Sequence, residues 1–236
     1  MGKIKYKITG ALGKIFGVKF FWNLEGLFKA KKAILSRVKD ECEFEEAGKK
    51  DADFLMKLGL INEKSKVLDV GCGIGRVEKY LSDFVDEVYG IDISEVMISK
   101  AKRNVDKKNV YFYVNDGSDL KMFDNDFFDF AFSFFVFQHI SRKVAVSYIK
   151  EIFRVLKEKG KFLCQFQYKD EDNDVKDPDE NHPWGIRLYS EKEIRELAKK
   201  GNFKLLDILG IKEARNKRRK GVEFDKCDVY AIMEKI

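Results

Sequence analysis

Glycines and carboxylates stand at the ends of two short apolar segments of the chain. Gly71, Gly73 and Gly75 come directly after the first segment, and such glycines let the backbone pass close to a ligand where a Cβ would collide. Asp69 lies just before these glycines, where its charge would repel a pyrophosphate but suit a cationic ligand. Asp92 ends the next apolar segment, about 20 residues past the first glycine, and is placed to accept hydrogen bonds from ribose hydroxyls. The spacing therefore predicts a site for a ligand that contains ribose.

The same glycines raise the alternative of a nicotinamide or flavin site. The dinucleotide fingerprint ends in Gly or Ala at its sixth position, where it packs tightly against a helix. This chain instead reads G-x-G-x-G and has Arg76 at the sixth position. Together with the charge of Asp69, this departure argues against a dinucleotide.

Short apolar segments alternate with stretches of helical periodicity from Ser65 onward. Strands are predicted at residues 66–70, 87–91, 110–114, 128–134 and 161–167, and helices at 74–84, 95–104 and 142–157, with Gly160 at the end of the last helix. Such alternation indicates parallel strands with helices on both faces, whose ligands bind beyond the carboxyl ends of the strands. The sequence therefore predicts an α/β fold with a doubly wound, mostly parallel sheet of seven strands.

The C-terminal third has a different pattern. Residues 168–183 are polar and form a long loop, and Ser190 begins a capping box that opens a helix ending near Gly201. Strands are predicted at 203–209 and 228–233, joined by a basic loop that runs from Lys217 to Lys220. Because a short connection implies antiparallel pairing, we expect a C-terminal antiparallel hairpin strand.

The positive charge of the chain lies in an N-terminal arm. The formal net charge is +6, but residues 1–39 hold ten Lys or Arg and one acid, Glu25, which leaves −3 for residues 40–236. We predict a basic helical extension over residues 1–43 and one domain over residues 44–236. Apolar residues interleave with the lysines of the arm, so the arm could contact anionic lipid or nucleic acid. We favour the alternative, that its apolar residues close the ligand pocket.

Cysteine spacing and hydropathy argue against several classes of protein. Cys42, Cys72, Cys164 and Cys227 are far apart and form no C-x-x-C pair, so neither a zinc site nor a disulfide framework is predicted. No uncharged apolar run approaches the ~20 residues of a membrane span. We therefore expect a cytoplasmic protein with reduced thiols, no metal and no transmembrane segment.

Six short motifs follow one another between residues 67 and 161. They stand at 67–75 (VLDVGCGIG), 90–94 (GIDIS), 115–120 (NDGSDL), 127–129 (FFD), 137–140 (FQHI) and 154–161 (RVLKEKGK). In this order they resemble the motifs of the class I S-adenosylmethionine-dependent methyltransferases. The resemblance is close over residues 44–167 and loose elsewhere. It implies a Rossmann-like fold, S-adenosylmethionine as the cofactor, and transfer of its methyl group.

The resemblance also assigns residues to the methionine and ribose parts of the cofactor. It implies that Gly71, Gly73 and Gly75 line the methionine part. It further implies that Asp69 helps to hold the ammonium group and that Asp92 takes the ribose hydroxyls.

Further residues are implied for the adenine and the methyl group. By resemblance, Ile93 packs on the adenine, Asp116 accepts a hydrogen bond from its amino group, and the amide of Gly117 meets the ring. Phe134, at the end of the fourth predicted strand, is implied to lie near the transferable methyl.

The residues that would act on the acceptor are less defined. The fourth strand ends in Phe134 and two further apolar residues, not in Asn/Asp-Pro-Pro-Tyr, which argues against methylation of adenine N6 or glutamine. His139 is a candidate general base, although we favour a half-buried histidine near a helix start. Tyr189 falls, with His182, Trp184 and Arg187, where this family usually forms its acceptor pocket. The alternative is an ordinary loop packed by its aromatic residues.

We therefore predict an enzyme that moves a methyl group from S-adenosylmethionine to an unidentified acceptor. A small molecule is favoured because residues 40–236 are not basic. The alternatives are an RNA methyltransferase that grips phosphates through the arm and the Lys217–Lys220 loop, a protein methyltransferase, or a cofactor-binding regulatory subunit without catalysis. Residues 168–189 are expected to form part of the acceptor site.

Overall fold

The computed structural model describes residues 17–35, 40–117, 119–171, 176–178, 182, 185–219 and 227–236. These residues form two compact units. The first unit takes the described residues up to Gly117 together with residues 128–130, and the second takes the remaining described residues.

The first unit holds a parallel sheet and the helices that follow its strands. Its elements are α1 (Val18–Ile34), α2 (Glu41–Lys57), β1 (Lys66–Val70), α3 (Glu78–Leu81), β2 (Glu87–Asp92), α4 (Glu95–Asn104), β3 (Val110–Val114) and the first half of β4 (Phe128–Ser133). The strand order is β3-β2-β1-β4. Parallel pairing of β1 with β2, and of β2 with β3, confirms the predicted parallel sheet.

Capping and burial fix the element that follows β2. Ser94 Oγ accepts a hydrogen bond from Met97 N at 3.2 Å and so caps the first turn of α4. Met97, Ile98 and Ala101 form the buried side of this helix. In the sheet, Asp69 pairs in register with Gly90, which brings the carboxyl ends of β1 and β2 side by side.

Helix α1 belongs to the basic arm and lies against α4. Asn23 Oδ1 accepts hydrogen bonds from Ser94 Oγ at 2.8 Å and from Val96 N at 3.3 Å. Lys100 Nζ donates to the carbonyl of Gly26 at 2.6 Å. The predicted helical arm is therefore helical over α1, while residues 1–16 and 36–39 lie outside the described residues.

The helix predicted at residues 74–84 is much shorter in the structure. The backbone of Gly75 is left-handed, with φ 81°, so the glycine turn continues past the predicted helix start. After Leu81 the hydrogen bonds tighten, and Phe84 N donates to Leu81 O at 3.0 Å. The predicted length was therefore wrong. Val77 and Leu81 are buried as their helical spacing indicates, whereas Phe84 is 46% exposed and Glu78 is fully buried.

The second unit combines a mixed sheet with three helices among its described residues. Its elements are the second half of β4, α5 (Arg142–Val155), β5 (Leu156–Tyr168), β6 (Leu188–Tyr189), α6 (Glu191–Lys200), β7 (Phe203–Leu209), α7 (Ile211–Arg219) and β8 (Asp228–Lys235). The strand order is β4-β5-β8-β7, with the two-residue β6 parallel beside β5 as an eighth strand. Antiparallel pairing of β8 with β5 and β7 confirms the predicted C-terminal hairpin strand.

The boundary between α5 and β5 differs from its prediction. The helix ends at Val155, because Leu156 already has extended backbone angles. The left-handed residue that follows is Lys159, with φ 62°, and not Gly160. Leu156 is fully buried as the first residue of β5, so burial at the start of the strand overrides the helical pattern there.

The connection between β7 and β8 is not the short basic loop that was predicted. Lys217 lies in α7, whereas Lys220 lies outside the described residues. Three tertiary contacts hold the helix: Ala214 is buried, and Arg215 pairs with Glu191 and donates to Tyr168 Oη at 3.2 Å. Such tertiary contacts cannot be recognised from the local sequence pattern, and α7 was therefore not predicted.

No helix in the described ranges is long and apolar enough to cross a membrane. The four cysteines have free thiols, with Cys42 exposed and the other three buried. No cluster of three or more His, Cys, Asp or Glu that could hold a metal occurs among the described residues.

Candidate cofactor site

The turn after β1 depends on left-handed backbone. Gly71, Gly73 and Gly75 have φ of 92°, 56° and 81°, a region that L-residues with a Cβ rarely adopt. A Cβ on Gly73 would lie 2.7 Å from Cδ1 of Ile34, the last residue of α1. A Cβ on Gly75 would lie 2.7 Å from Cγ2 of Val105. The turn therefore offers backbone without side chains at the carboxyl end of β1.

Asp92 links the two turns that follow β1 and β2. Its Oδ2 accepts a hydrogen bond from Gly73 N at 3.1 Å, and its Oδ1 accepts one from Ser94 N at 2.8 Å. Burial raises the pKa of Asp92 to about 6, against the lowering effect of these two backbone N–H groups. Each carboxylate oxygen can accept more than one hydrogen bond, so Asp92 keeps the capacity to bind a pair of hydroxyl groups.

Asp69 is buried at the carboxyl end of β1. Its Oδ1 is enclosed and accepts no hydrogen bond within the described part of the chain. Burial, and then the neighbouring charge of Glu78, raises the pKa of Asp69 well above its ordinary value. A buried carboxyl without a donor at one oxygen suits a ligand that brings a positive charge or an N–H group.

Glu78 lies beside Asp69, and its local sequence pattern does not indicate that it is buried. Its carboxyl is buried, and Oε1 would lie 2.8 Å from a Cβ on Gly90, so it occupies the space that this glycine leaves in β2. Burial raises the pKa of Glu78 to about 7. Arg76 is also buried and forms an ion pair with Asp51, with 2.6 Å between Nη1 and Oδ2. The signal that could have located Glu78 is Gly90, a glycine within a buried strand.

The residues assigned to the adenine lie at the ends of β2 and β3. Asn115 N donates to the carbonyl of Asp92 at 3.0 Å, and Asn115 Oδ1 accepts from Gly117 N at 3.2 Å. Asp116 is exposed and Ile93 is half-buried. The first unit thus brings together eight of the nine cofactor-binding residues predicted from the sequence, at the carboxyl ends of three neighbouring strands.

Phe134, the ninth residue predicted to contact the cofactor, belongs to the second unit. It follows β4 and is buried, with its ring 5.2 Å from that of Phe132 and 6.0 Å from that of Tyr230. Its proximity to the methyl group stays a prediction.

The two candidates for acceptor chemistry also lie in the second unit. His139 is half-buried before α5, its Nε2 is 3.0 Å from Gln138 Nε2, and burial lowers its pKa to about 4. Tyr189 is buried, and its hydroxyl donates to the carbonyl of Phe137 at 3.3 Å. The Arg142 guanidinium lies 3.8 Å from the centre of the Tyr189 ring. Burial raises the pKa of the Tyr189 hydroxyl, so these contacts suit packing better than proton transfer.

Comparison with known proteins agrees with this geometry. The family described as "Methyltransferase domain" matches residues 68–164. An uncharacterized methyltransferase of Bacillus subtilis, YcgJ, is 32% identical over 139 residues, which are 57% of this chain and 52% of that protein. A demethylmenaquinone methyltransferase of Leptospira interrogans is 37% identical over 103 residues, or 41% of each chain. The chain thus spans about half or less of the curated relatives that it matches.

The similarity of fold extends further than the similarity of sequence. The crystal structure of Bacillus subtilis YcgJ aligns with a TM-score of 0.59 at 20% identity, over 79% of this chain and 98% of that one. A methyltransferase structure from Methanosarcina mazei described as SAM-dependent aligns with a TM-score of 0.59 at 22% identity, over 77% and 97%. Residues 68–164 are thus similar to a methyltransferase domain, and the chain shares its fold with solved methyltransferase structures.

Proposed function

We propose that this protein transfers a methyl group from S-adenosylmethionine to an acceptor, with a small molecule as the favoured acceptor. The observation that carries the proposal is Asp92, which holds the amides of Gly73 and Ser94 and leaves acceptor capacity for ribose hydroxyls. Asp69 adds a buried carboxyl for the ammonium group, and the left-handed glycines leave room for the methionine part. The chemistry of these residues suits the ribose, the ammonium group and the methionine part of the cofactor.

The chemistry asks little of the side chains beyond positioning. When bound, S-adenosylmethionine supplies a methyl group already activated on a sulfonium sulfur. The protein then has to orient the acceptor in line with that methyl group and exclude water. His139 is a weak base because its pKa is held at about 4, so we do not assign it the proton of the acceptor. The essential residues are accordingly those that bind the cofactor.

A small-molecule acceptor agrees best with the charge of the chain. Residues 40–236 carry a formal charge of −3, which does not favour a phosphate backbone. The name of the Leptospira relative gives demethylmenaquinone as its acceptor, which is a small molecule too. An RNA acceptor is the second candidate, because α7 (IKEARNKRR) presents basic residues such as Lys217.

The free cysteines favour a reducing, cytoplasmic compartment.

The segment from 168 to 189 is proposed to contribute to the acceptor site. It leaves β5 at its carboxyl end, and a connection of this length is often functional. Two described contacts anchor it within the second unit. Arg142 Nε donates to Asp177 Oδ2 at 2.8 Å, and Lys192 N donates to Glu171 Oε1 at 2.9 Å.

Calorimetry and a transfer assay test the proposal separately. We expect S-adenosylmethionine to bind and NAD not to bind in titrations of the full chain. Labelled S-adenosylmethionine is then incubated with cell extract divided into small molecules, RNA and protein, and we expect the label in the small-molecule fraction. Tight NAD binding without any response to the methyl donor would contradict the cofactor assignment. Label in RNA would reject the favoured acceptor, and label in no fraction would favour a regulatory subunit.

A further inference from the structure

Two glutamines of β5 reach the same carboxylate. Gln165 and Gln167 are two residues apart and therefore lie on one side of the strand, and Gln167 pairs in antiparallel register with Asp228 of β8. Gln165 Nε2 donates to Asp228 Oδ1 at 2.7 Å, and Gln167 Nε2 donates to the same oxygen at 2.8 Å. These three residues are termed the amide cluster.

These hydrogen bonds determine the orientation of both side-chain amide groups. A carboxylate oxygen accepts from the NH₂ group and not from the carbonyl of an amide, so each Nε2 faces Asp228 and each Oε1 faces elsewhere. Gln165 Oε1 accepts from Phe135 N at 2.8 Å. Gln167 is only 3% exposed, and its Oε1 accepts no hydrogen bond from any described residue. A buried acceptor without a donor is unfavourable, which points to a ligand that supplies an N–H or O–H group.

The amide cluster lies where ligands bind in this class of sheet. Gln167 precedes the last residue of β5, and Asp228 is the first residue of the antiparallel β8, so both lie at the carboxyl end of β5. Tyr230, which pairs with Gln165, has its ring 6.0 Å from that of Phe134. A carboxylate, an unused amide oxygen and two aromatic rings therefore come together at this edge of the second unit.

We propose that the amide cluster binds the methyl acceptor and that this acceptor is an amine. The inference rests on the proposed methyl transfer and names its substrate class. Gln167 Oε1 would accept an N–H of the amine, and the carboxylate of Asp228 favours a cationic nitrogen over a neutral hydroxyl or an anion. The rings of Phe134 and Tyr230 suit the alkyl groups or the charge of an ammonium.

Protons and electrons balance without a further reactant. The ammonium first releases one proton to water, which frees the nitrogen lone pair. That lone pair forms the new carbon–nitrogen bond while the methyl–sulfur bond breaks and leaves its electron pair on sulfur. The methylated product is again an ammonium ion, whose remaining N–H groups keep their acceptors in the amide cluster.

A binding experiment without turnover tests the site directly. Methylammonium is titrated into the ¹⁵N-labelled full chain, and tetramethylammonium serves as a matched cation without N–H donors. We expect saturable shifts of the Gln167 side-chain amide signals, identified by their loss in Gln167→Leu, with methylammonium only. Asp228→Asn should weaken the binding at least tenfold, whereas Asp207→Asn, an exposed change on β7, should not. No shift, or equal shifts with both cations, would overturn the proposal.

Transfer kinetics provide a second readout with the acceptor isolated from the small-molecule fraction. We expect the methyl group on nitrogen, and at least a tenfold higher KM for the acceptor in Gln167→Leu and Asp228→Asn with unchanged affinity for S-adenosylmethionine. Methylation on oxygen or carbon, or an unchanged KM in both variants, would overturn the amine assignment while the methyl transfer stands. A wild-type chain that does not bind S-adenosylmethionine would instead contradict the proposed function. The two failures can be distinguished, because the amide signals report amine binding in the absence of S-adenosylmethionine.

Discussion

Asp92 connects the glycine turn after β1 to the turn after β2. Its two oxygens hold Gly73 N and Ser94 N, so the carboxylate that is assigned to the ribose also keeps the turns after β1 and β2 together. Loss of this side chain should therefore remove the proposed contact to the ribose and loosen the backbone of the two turns.

Asp92→Ala is expected to weaken the binding of S-adenosylmethionine by roughly 10- to 100-fold, since a charge-assisted hydrogen bond contributes about 1.5–3 kcal/mol. Calorimetry measures the effect. Asp83→Ala, which removes an exposed partner of Lys107, is the matched control and should bind like wild type. A folded Asp92→Ala protein with wild-type affinity would show that the site is misplaced.

Gly73→Val should weaken cofactor binding at least as much as Asp92→Ala. The new Cβ would stand 2.7 Å from Ile34 Cδ1 on a backbone with φ 56°. Gly59 offers a matched control, because its φ is 64° and a Cβ there meets nothing within 4 Å. Gly59→Val should carry a similar backbone strain of about 1–2 kcal/mol and keep its affinity in the same titration. Equal loss of affinity in both variants would mean that instability, not crowding, causes the effect.

The raised pKa of Glu78 predicts how the stability of the fold depends on pH. Its pKa in the folded state is about 7, above the ordinary value of 4.5, so between these values the folded chain holds a proton that the unfolded chain releases. The free energy of unfolding should therefore fall as the pH rises from about 4.5 to 7. Asp92, with its pKa raised to about 6, acts with the same sign.

Glu78→Gln should reduce this fall by roughly 1–3 kcal/mol, because one pKa unit corresponds to about 1.4 kcal/mol. Urea unfolding at pH 5, 6, 7 and 8 measures it. Glu63→Gln changes an exposed carboxyl and serves as the control. If Glu78→Gln and wild type lose stability in parallel over this range, the buried carboxyl does not titrate there.

At the scale of elements, the sequence predicted the turns and strand limits that depend on local backbone geometry. The glycines before α3 and the cap at Ser94 have conformations set by their own residue types, and β1, β2 and β3 end within a residue of their predicted limits. The burial of Glu78 in α3 could not be predicted from the local pattern, because its carboxyl fills the space beside Gly90 of the neighbouring strand β2. The contacts of Arg215 that hold α7 are tertiary in the same way.

The side-chain amide of Asn23 makes two of the hydrogen bonds that attach helix α1 to α4. Asn23 Oδ1 accepts hydrogen bonds from Ser94 Oγ and Val96 N. Asn23→Ala should therefore cost about 1 kcal/mol of stability and speed up hydrogen exchange of the backbone amides of α1. Exchange measured by mass spectrometry should speed up in Val18–Ile34 but not in Glu41–Lys57. Asn216→Ala, at an exposed position of α7, is the control. Unchanged exchange in α1 would show that Asn23 does not hold the helix.

At the scale of the whole chain, charge and exposed apolar surface coincide in the arm. Residues 1–39 carry a formal charge of +9, against −3 for the rest. Helix α1 buries Phe21, Gly26 and Ala30, which agrees with a packing role for the arm. The same helix leaves Leu27 59% and Phe28 68% exposed. An exposed apolar stripe on a basic helix is typical of contact with an anionic lipid surface.

We therefore expect the full chain to sediment with phosphatidylglycerol vesicles more than with neutral phosphatidylcholine vesicles, and to release at high salt because the attraction is screened. Leu27→Asp with Phe28→Asp should lower the bound fraction several-fold, since the change removes apolar area and adds like charge to the lipid. Met122→Asp, an exposed apolar position outside the arm, should bind like wild type. A gel shift with RNA runs in parallel, because the same charge attracts phosphates. Binding to RNA but not to vesicles would assign the arm to nucleic acid, and binding to neither would leave it a packing role alone.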